Sequence, residues 1–125
     1  MEVVAAVLTQ KNRFLLTRRP DHKSHGGLWE FPGGKVKQGE TNKQALVREL
    51  MEELNVRVKE EELDYIGSIQ SDKIHLHFFK TPLPAPYSPQ EHPATAWANL
   101  DEALKKDLCP TDRKALEQFE SSFRL

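Results

Sequence analysis

Glu49, Glu52 and Glu53 are the residues through which this chain could do chemistry. On a helix, positions i, i+3 and i+4 share one face, so the three carboxylates stand together. Like charges so placed repel one another, and Arg48, one turn before Glu52, offsets part of that repulsion. A hard divalent cation would offset more, because Mg2+ takes carboxylate oxygens while keeping several of its waters. The plain alternative is a solvated acidic face. Just upstream, Gly33 and Gly34 could bring backbone carbonyls and amides beside a phosphate-bound metal, and Lys35 could neutralise phosphate charge. A hairpin turn with a solvated lysine is the plain alternative there.

The acids need a rigid carrier. Thr41 is a good N-cap with Gln44 three residues on, which is capping-box spacing. Residues 44–54 contain no Gly or Pro and predict a helix of about three turns. Asn55 suits a left-handed C-terminal cap. Leu46, Val47, Leu50 and Leu54 make the stripe that faces a core. Before this helix, residues 2–9 and 13–19 read as strands around a turn at Lys11 and Asn12. Residues 20–27 read as a polar loop, 28–31 as a short strand and 32–34 as a tight turn. After it, 57–59 reads as a short strand, and 64–70 and 73–81 as longer ones joined at Ser71 and Asp72. Residues 82–93 read as a proline-rich loop and 94–98 as a strand around Trp97. Asn99, with Glu102 three residues on, caps a short helix. A last helix begins at Thr111 or Asp112 and buries Ala115, Leu116, Phe119 and Phe123. Mixed strands with a central and a C-terminal helix indicate an α+β fold, layered as an α/β/α sandwich.

Composition narrows the field. The 125 residues suffice for one domain, and a net charge of −1 supplies no basic field for nucleic acid or membrane. The single Cys109 excludes an internal disulfide and a cysteine-based zinc site, and reads as a buried, inert thiol suited to a reducing compartment. No apolar run reaches membrane-span length and no signal pattern opens the chain, so a cytoplasmic location is expected.

The order Gly34, five residues, Glu40, seven residues, Arg48-Glu49-Leu50, one residue, Glu52-Glu53, one residue, Asn55-Val56 resembles the Nudix box, here residues 34–56. Asn55 stands where the family usually has Gly, a mild departure because both tolerate positive φ. The resemblance implies the Nudix fold, a mixed curved sheet between helices, over the whole chain. It implies Mg2+ or Mn2+ held by Glu52, Glu53 and the Gly33 carbonyl, with Glu49 as ligand or general base. Arg48 would orient Glu49, and Glu40 would sit near the metals or hold Arg48. Lys35 would assist at the phosphates. The implied reaction is hydrolysis of a nucleoside diphosphate linked to a leaving group.

Thr17-Arg18-Arg19-Pro20 and the run from Leu28 to Gly34 further resemble the MutT branch, which splits nucleoside triphosphates into monophosphate and pyrophosphate. That likeness places Arg19, Ser24, Glu30, Phe31, Pro32, Gly33, Phe78 and Asp112 around the substrate. It makes Glu91 a further metal ligand or base. The plain alternatives are a surface Arg, a loop Ser, a solvated loop Glu and a helix-capping Asp. Oxidised or non-standard nucleotides such as 8-oxo-dGTP are the default substrates, a pool-cleaning role that protects DNA replication. Val-Val-Ala-Ala-Val near the start, Ile-His-Leu-His and Glu-His-Pro before Trp97 also resemble the CTP pyrophosphohydrolase group. An ionised Asp112 would suit the cytosine amino group, and a protonated one an oxidised guanine. A non-catalytic nucleotide sensor is the reading of another class, and monomer and homodimer stay equally open. His75 and His77, alternating with apolar neighbours, could bind a metal or simply line a solvated face. Trp29, Phe78 and Phe79 could stack on a base or pack in the core.

Overall fold

The computed structural model describes residues 1–83 and 94–125. Among the described residues, seven strands form one mixed sheet: β1 (Glu2–Gln10), β2 (Arg13–Arg18), β3 (Trp29–Glu30), β4 (Gly33–Lys35), β5 (Asp64–Gln70), β6 (His75–Pro82) and β7 (Thr95–Ala98). The main path runs β3-β2-β1-β6-β5, with β4 on β1 and β7 on β2. β1 is the axis. It pairs in parallel with β6 from Glu2–His75 to Thr9–Pro82, while its other edge is shared. There β2 pairs only at Thr9–Phe14 and Gln10–Arg13, and β4 takes the opposite end at Val3–Lys35, Val4–Gly34 and Ala5–Gly33.

Residues 32–34, expected as a tight turn, are therefore corrected: Gly33 and Gly34 belong to a strand, because β1 has a free edge where β2 parts from it. The segment from Trp29 to Lys35 bridges the two strands, with Trp29 and Glu30 on β2 and Gly33 to Lys35 on β1.

Side chains alternate across the sheet. Ala5, Val7, Leu76 and Phe78 enter one core with Phe14, Leu16, Phe31, Ala115, Leu116 and Phe123. Val4, Ala6, Leu8 and Phe79 enter the other with Leu46, Leu50 and Leu54 of α1 (Asn42–Leu54). Helices α2 (Leu100–Leu104), α3 (Pro110–Gln118) and α4 (Glu120–Phe123) complete the chain. The expected layered sandwich is thus present.

The α1 termini are as the sequence reads. Thr41 and Gln44 form both halves of the capping box, and Asn55 lies at φ 55, ψ 36, its amide returning to Leu50 and Met51. Three local expectations change. Residues 57–59 alternate like a strand, with Val58 buried and Arg57 and Lys59 exposed, but make no ladder; a 3-10 turn, Glu60–Glu62, follows. The last helix starts at Pro110 rather than Thr111 or Asp112, since Pro is preorganised for the first helical position. It also breaks at Phe119, which leaves α4 as a separate turn. Most of the expected proline-rich loop, residues 84–93, lies outside the described residues.

Candidate active site

A cleft of about 1110 Å³ opens where β1 meets the bridging segment; Arg19, Glu30, Phe31, Gly33, Lys35, Glu49, Glu53 and Asp112 are among its lining residues. The box sits on its acidic side. α1 presents Arg48 at the hub of a charge network. Arg48 Nε and Nη2 donate to the two Glu40 oxygens at 2.7 and 2.9 Å, a bidentate pair. Its Nη1 donates to Glu49 Oε1 at 2.9 Å and to Glu52 at 3.2 and 3.4 Å, while Nη2 also reaches the Lys35 carbonyl at 3.1 Å. Of the two expected roles for Glu40, the geometry is that of holding Arg48. The Arg48 bond, aided by the Lys37 amide, brings the Glu40 carboxyl down to about 2. Glu49 moves the other way: burial raises its pKa, Glu53 and Glu52 add to the rise, and Arg48 opposes it.

Gly34 is what lets Glu49 sit against the β4 backbone. A Cβ there would lie within 2.6 Å of both Glu49 carboxylate oxygens. Glu49, Glu53 and Gly33 line one cleft, and their carboxylate and carbonyl oxygens are hard donors of the kind a divalent cation takes. Glu52 is half exposed, turned to Arg48, and is not part of the lining.

The other side is more mixed. Arg19 Nη1 donates to both Glu30 oxygens at 3.1 and 3.2 Å, and its Nε donates to the Ser24 carbonyl at 2.9 Å. Asp112 is 4% exposed and accepts the Phe31 amide on Oδ1 at 3.0 Å. It is the third residue of α3 and ties that helix to the bridging segment, so the helix-capping alternative does not apply; Cys109 holds the cap position. Burial pushes the Asp112 carboxyl up to about 7 against the pull of the Phe31 amide. Cys109 beside it is buried, as expected, and its thiol is pushed up to about 12 by burial and by the charges of Asp112 and Glu30.

Two expected substrate contacts lie elsewhere. Phe78 is fully buried and meets Phe31 edge-on at 5.9 Å between ring centres, so it backs the cleft wall instead of lining it. Pro32 is buried, with its carbonyl taken by the Ala6 amide at 2.8 Å. Phe79 is core, and Trp29 is half-buried with Lys106 Nζ 4.5 Å above its ring. Glu91 lies outside the described residues. Lys23, His25, Asp72 and Lys73 also line the cleft. The sequence offered only one hint of them, the density of polar residues between Arg19 and the box. Asp72 and Lys73 arrive through the β5–β6 turn, which no local pattern links to the site.

The family model for the NUDIX domain matches residues 1–119. The chain belongs to the Nudix family. A CTP pyrophosphohydrolase of Escherichia coli K12 is 41% identical over 124 residues, covering 95% of this chain and 90% of that protein. A putative 8-oxo-dGTP diphosphatase 2 of Mycobacterium tuberculosis is 31% identical over 121 residues, covering 89% and 82%. Among solved structures, the MutT protein of Methanosarcina mazei Go1 superposes with a TM-score of 0.85 at 26% identity, covering 98% of this chain and 94% of that one. The E. coli ORF135 protein superposes at 0.82 with 40% identity, covering 96% and 88%.

As a Nudix hydrolase the protein is an enzyme of a family that acts on nucleotides and generally uses divalent metal ions. Among its described residues no helix is long and apolar enough to cross a membrane. The Nudix box accounts for the acidic side of the cleft, and the solvated-face alternative fails for Glu49, which burial and Arg48 hold in place.

Proposed function

We propose that this Nudix hydrolase is a Mg2+-dependent nucleoside triphosphate pyrophosphohydrolase that releases the monophosphate and pyrophosphate. The observation that carries this reading is the pairing in one cleft of the Glu49–Glu53 acids with the basic side chains Arg19, Lys23 and Lys35. Acids alone would hold metal, and bases alone would hold phosphate; a polyphosphate with its cations needs both. When bound, Mg2+ would neutralise charge on the phosphoryl oxygens and lower the pKa of a bound water. Glu49, Glu52, Glu53 and the Gly33 carbonyl would supply its oxygen donors. Glu49, held in place by Arg48, would accept the proton of the attacking water. Glu91 is the second candidate for that base. Lys35, with Arg19 and Lys23, meets the charge of the phosphate chain. The protein acts on free nucleotides in the cytoplasm, as a monomer or homodimer.

For the base, the likeness to a CTP pyrophosphohydrolase over nearly the full length of both chains favours (d)CTP. Asp112 supports a second reading. With its carboxyl at about 7, a protonated fraction persists at neutral pH and can donate to an oxidised guanine. Release of pyrophosphate from CTP, 5-methyl-dCTP, 8-oxo-dGTP and ADP-ribose under Mg2+ separates these readings. A cytidine nucleotide should show the highest kcat/KM; equal values for all four would refute a base-specific role. Glu53→Gln should lose at least about a hundredfold in kcat with the fold intact, given the several kcal/mol that metal stabilisation supplies. Nucleotide binding without phosphate release in the unaltered protein would mean a sensor.

A further inference from the structure

Outside the cleft, Glu2, His75 and His77 form a cluster whose ligand atoms all lie within 4.8 Å of one another. The strand register builds it. Glu2 pairs with His75 across the parallel β1–β6 ladder, and His77 lies two residues along on the same face of β6. Both imidazoles turn one nitrogen to the same carboxylate oxygen. His77 Nε2 is 2.8 Å and His75 Nδ1 3.4 Å from Glu2 Oε1. Both also have the opposite nitrogen held by a hydroxyl of β5: Tyr65 Oη lies 3.3 Å from His77 Nδ1, and Ser68 Oγ lies 2.9 Å from His75 Nε2. The rings are tilted by 50° to each other with centroids 4.1 Å apart, and His77 is only 9% exposed.

We propose that Glu2, His75 and His77 form a binding site for a divalent transition-metal ion of the zinc class. Two imidazole nitrogens and one carboxylate oxygen make a three-ligand set that leaves a position for water. A tetrahedral ion with bonds of about 2.0–2.1 Å needs its ligand atoms roughly 3.4 Å apart. The His75–Glu2 separation already matches that, and the His77–Glu2 pair needs a small opening. Hydroxyls on the far nitrogens hold each ring's orientation and can accept the far N–H when the near nitrogen binds metal, as the outer partners of metal-bound histidines do. Imidazole donors favour zinc-like ions, whereas the all-oxygen donors of the cleft favour Mg2+. None of the three residues lines the cleft, so the two sites can be loaded separately. An ion here would clamp the start of β1 to β6 beside the stretch of β1 that carries β4 and the box.

Titration of the full chain with Zn2+ by calorimetry, and with Co2+ by absorption, in excess Mg2+ tests the site. The expected result is one bound equivalent, a Co2+ spectrum of mixed nitrogen and oxygen ligation, and a rise in Tm on adding Zn2+. His75→Gln and Glu2→Gln should weaken Zn2+ binding at least about tenfold, and Tyr65→Phe roughly tenfold to a hundredfold. All three substitutions are at residues exposed enough to leave the fold and Mg2+-dependent hydrolysis unchanged. No bound equivalent, or an affinity that survives His75→Gln and Glu2→Gln but falls in Glu53→Gln, overturns the proposal. The cluster would then be a hydrogen-bonded Glu–His group without metal.

Discussion

Arg48 gathers two carboxylate oxygens of Glu40, one of Glu49 and the Lys35 carbonyl around a single planar group. Lysine cannot reproduce that fork. Arg48→Lys should lower kcat by about a hundredfold, through misplacement of Glu49, with KM little changed. Because Arg48 opposes the upward shift of Glu49, its loss should also move the acid limb of the kcat profile to higher pH. Steady-state kinetics across pH test both effects. Asp112 makes a second prediction at this scale. Its folded pKa, about 7, stands above the ordinary 3.8, so the native state binds the extra proton. The associated stability is complete below about pH 4 and is lost as pH rises through 7. Asp112→Asn keeps an acceptor for the Phe31 amide and removes the charge. Denaturant midpoints should therefore fall between pH 4 and 8 in the unaltered protein more than in the variant.

Among the elements, the pairing of β4 with β1 matters most to the site. It lays Gly33 and Gly34 along Val4 and Ala5 and brings the Glu49 carboxylate against bare backbone. Gly34→Ala leaves the ladder intact, since its new methyl meets the end of a side chain. It should cost little in Tm yet reduce kcat by about a hundredfold, because the displaced atoms are those of Glu49. A parallel loss of stability and activity would show instead that β4 itself had come away. The capping box of α1 and the left-handed Asn55 were legible in the sequence because caps depend on neighbours within four residues. The β4 strand was not, because a Gly-Gly-Lys run has no period and its partner lies about thirty residues away.

Across the whole molecule, the two cores do different work. One anchors α1 and its acids to the sheet; the other joins the bridging segment to the C-terminal helices through Phe14, Phe31, Phe78 and Phe123. Phe123, on the single turn of α4, is 1% exposed and lies 5.6 Å from Phe14 and 5.4 Å from Phe31 between ring centres. Phe123→Ala should lower stability by about 3–5 kcal/mol, read as a shift of the denaturation midpoint. Phe31 links this core to the cleft through its amide on Asp112, so substrate affinity should weaken in the same variant.

By itself the sequence determined that Glu49, Glu52 and Glu53 share one helix face, because spacing is a local rule, and the reaction class followed from the resemblance of residues 34–56 to the Nudix box. It also determined that Cys109 would be buried and that Asn99 and Thr41 would cap helices. Only the tertiary structure decided that Glu40 holds Arg48, that Phe78 stands behind the cleft wall, and that Lys23 and Lys73 enter the cleft. It likewise decided that the alternating His75 and His77 meet Glu2. Those relations join residues far apart in the chain through sheet register and core packing, which the spacing within one segment does not encode.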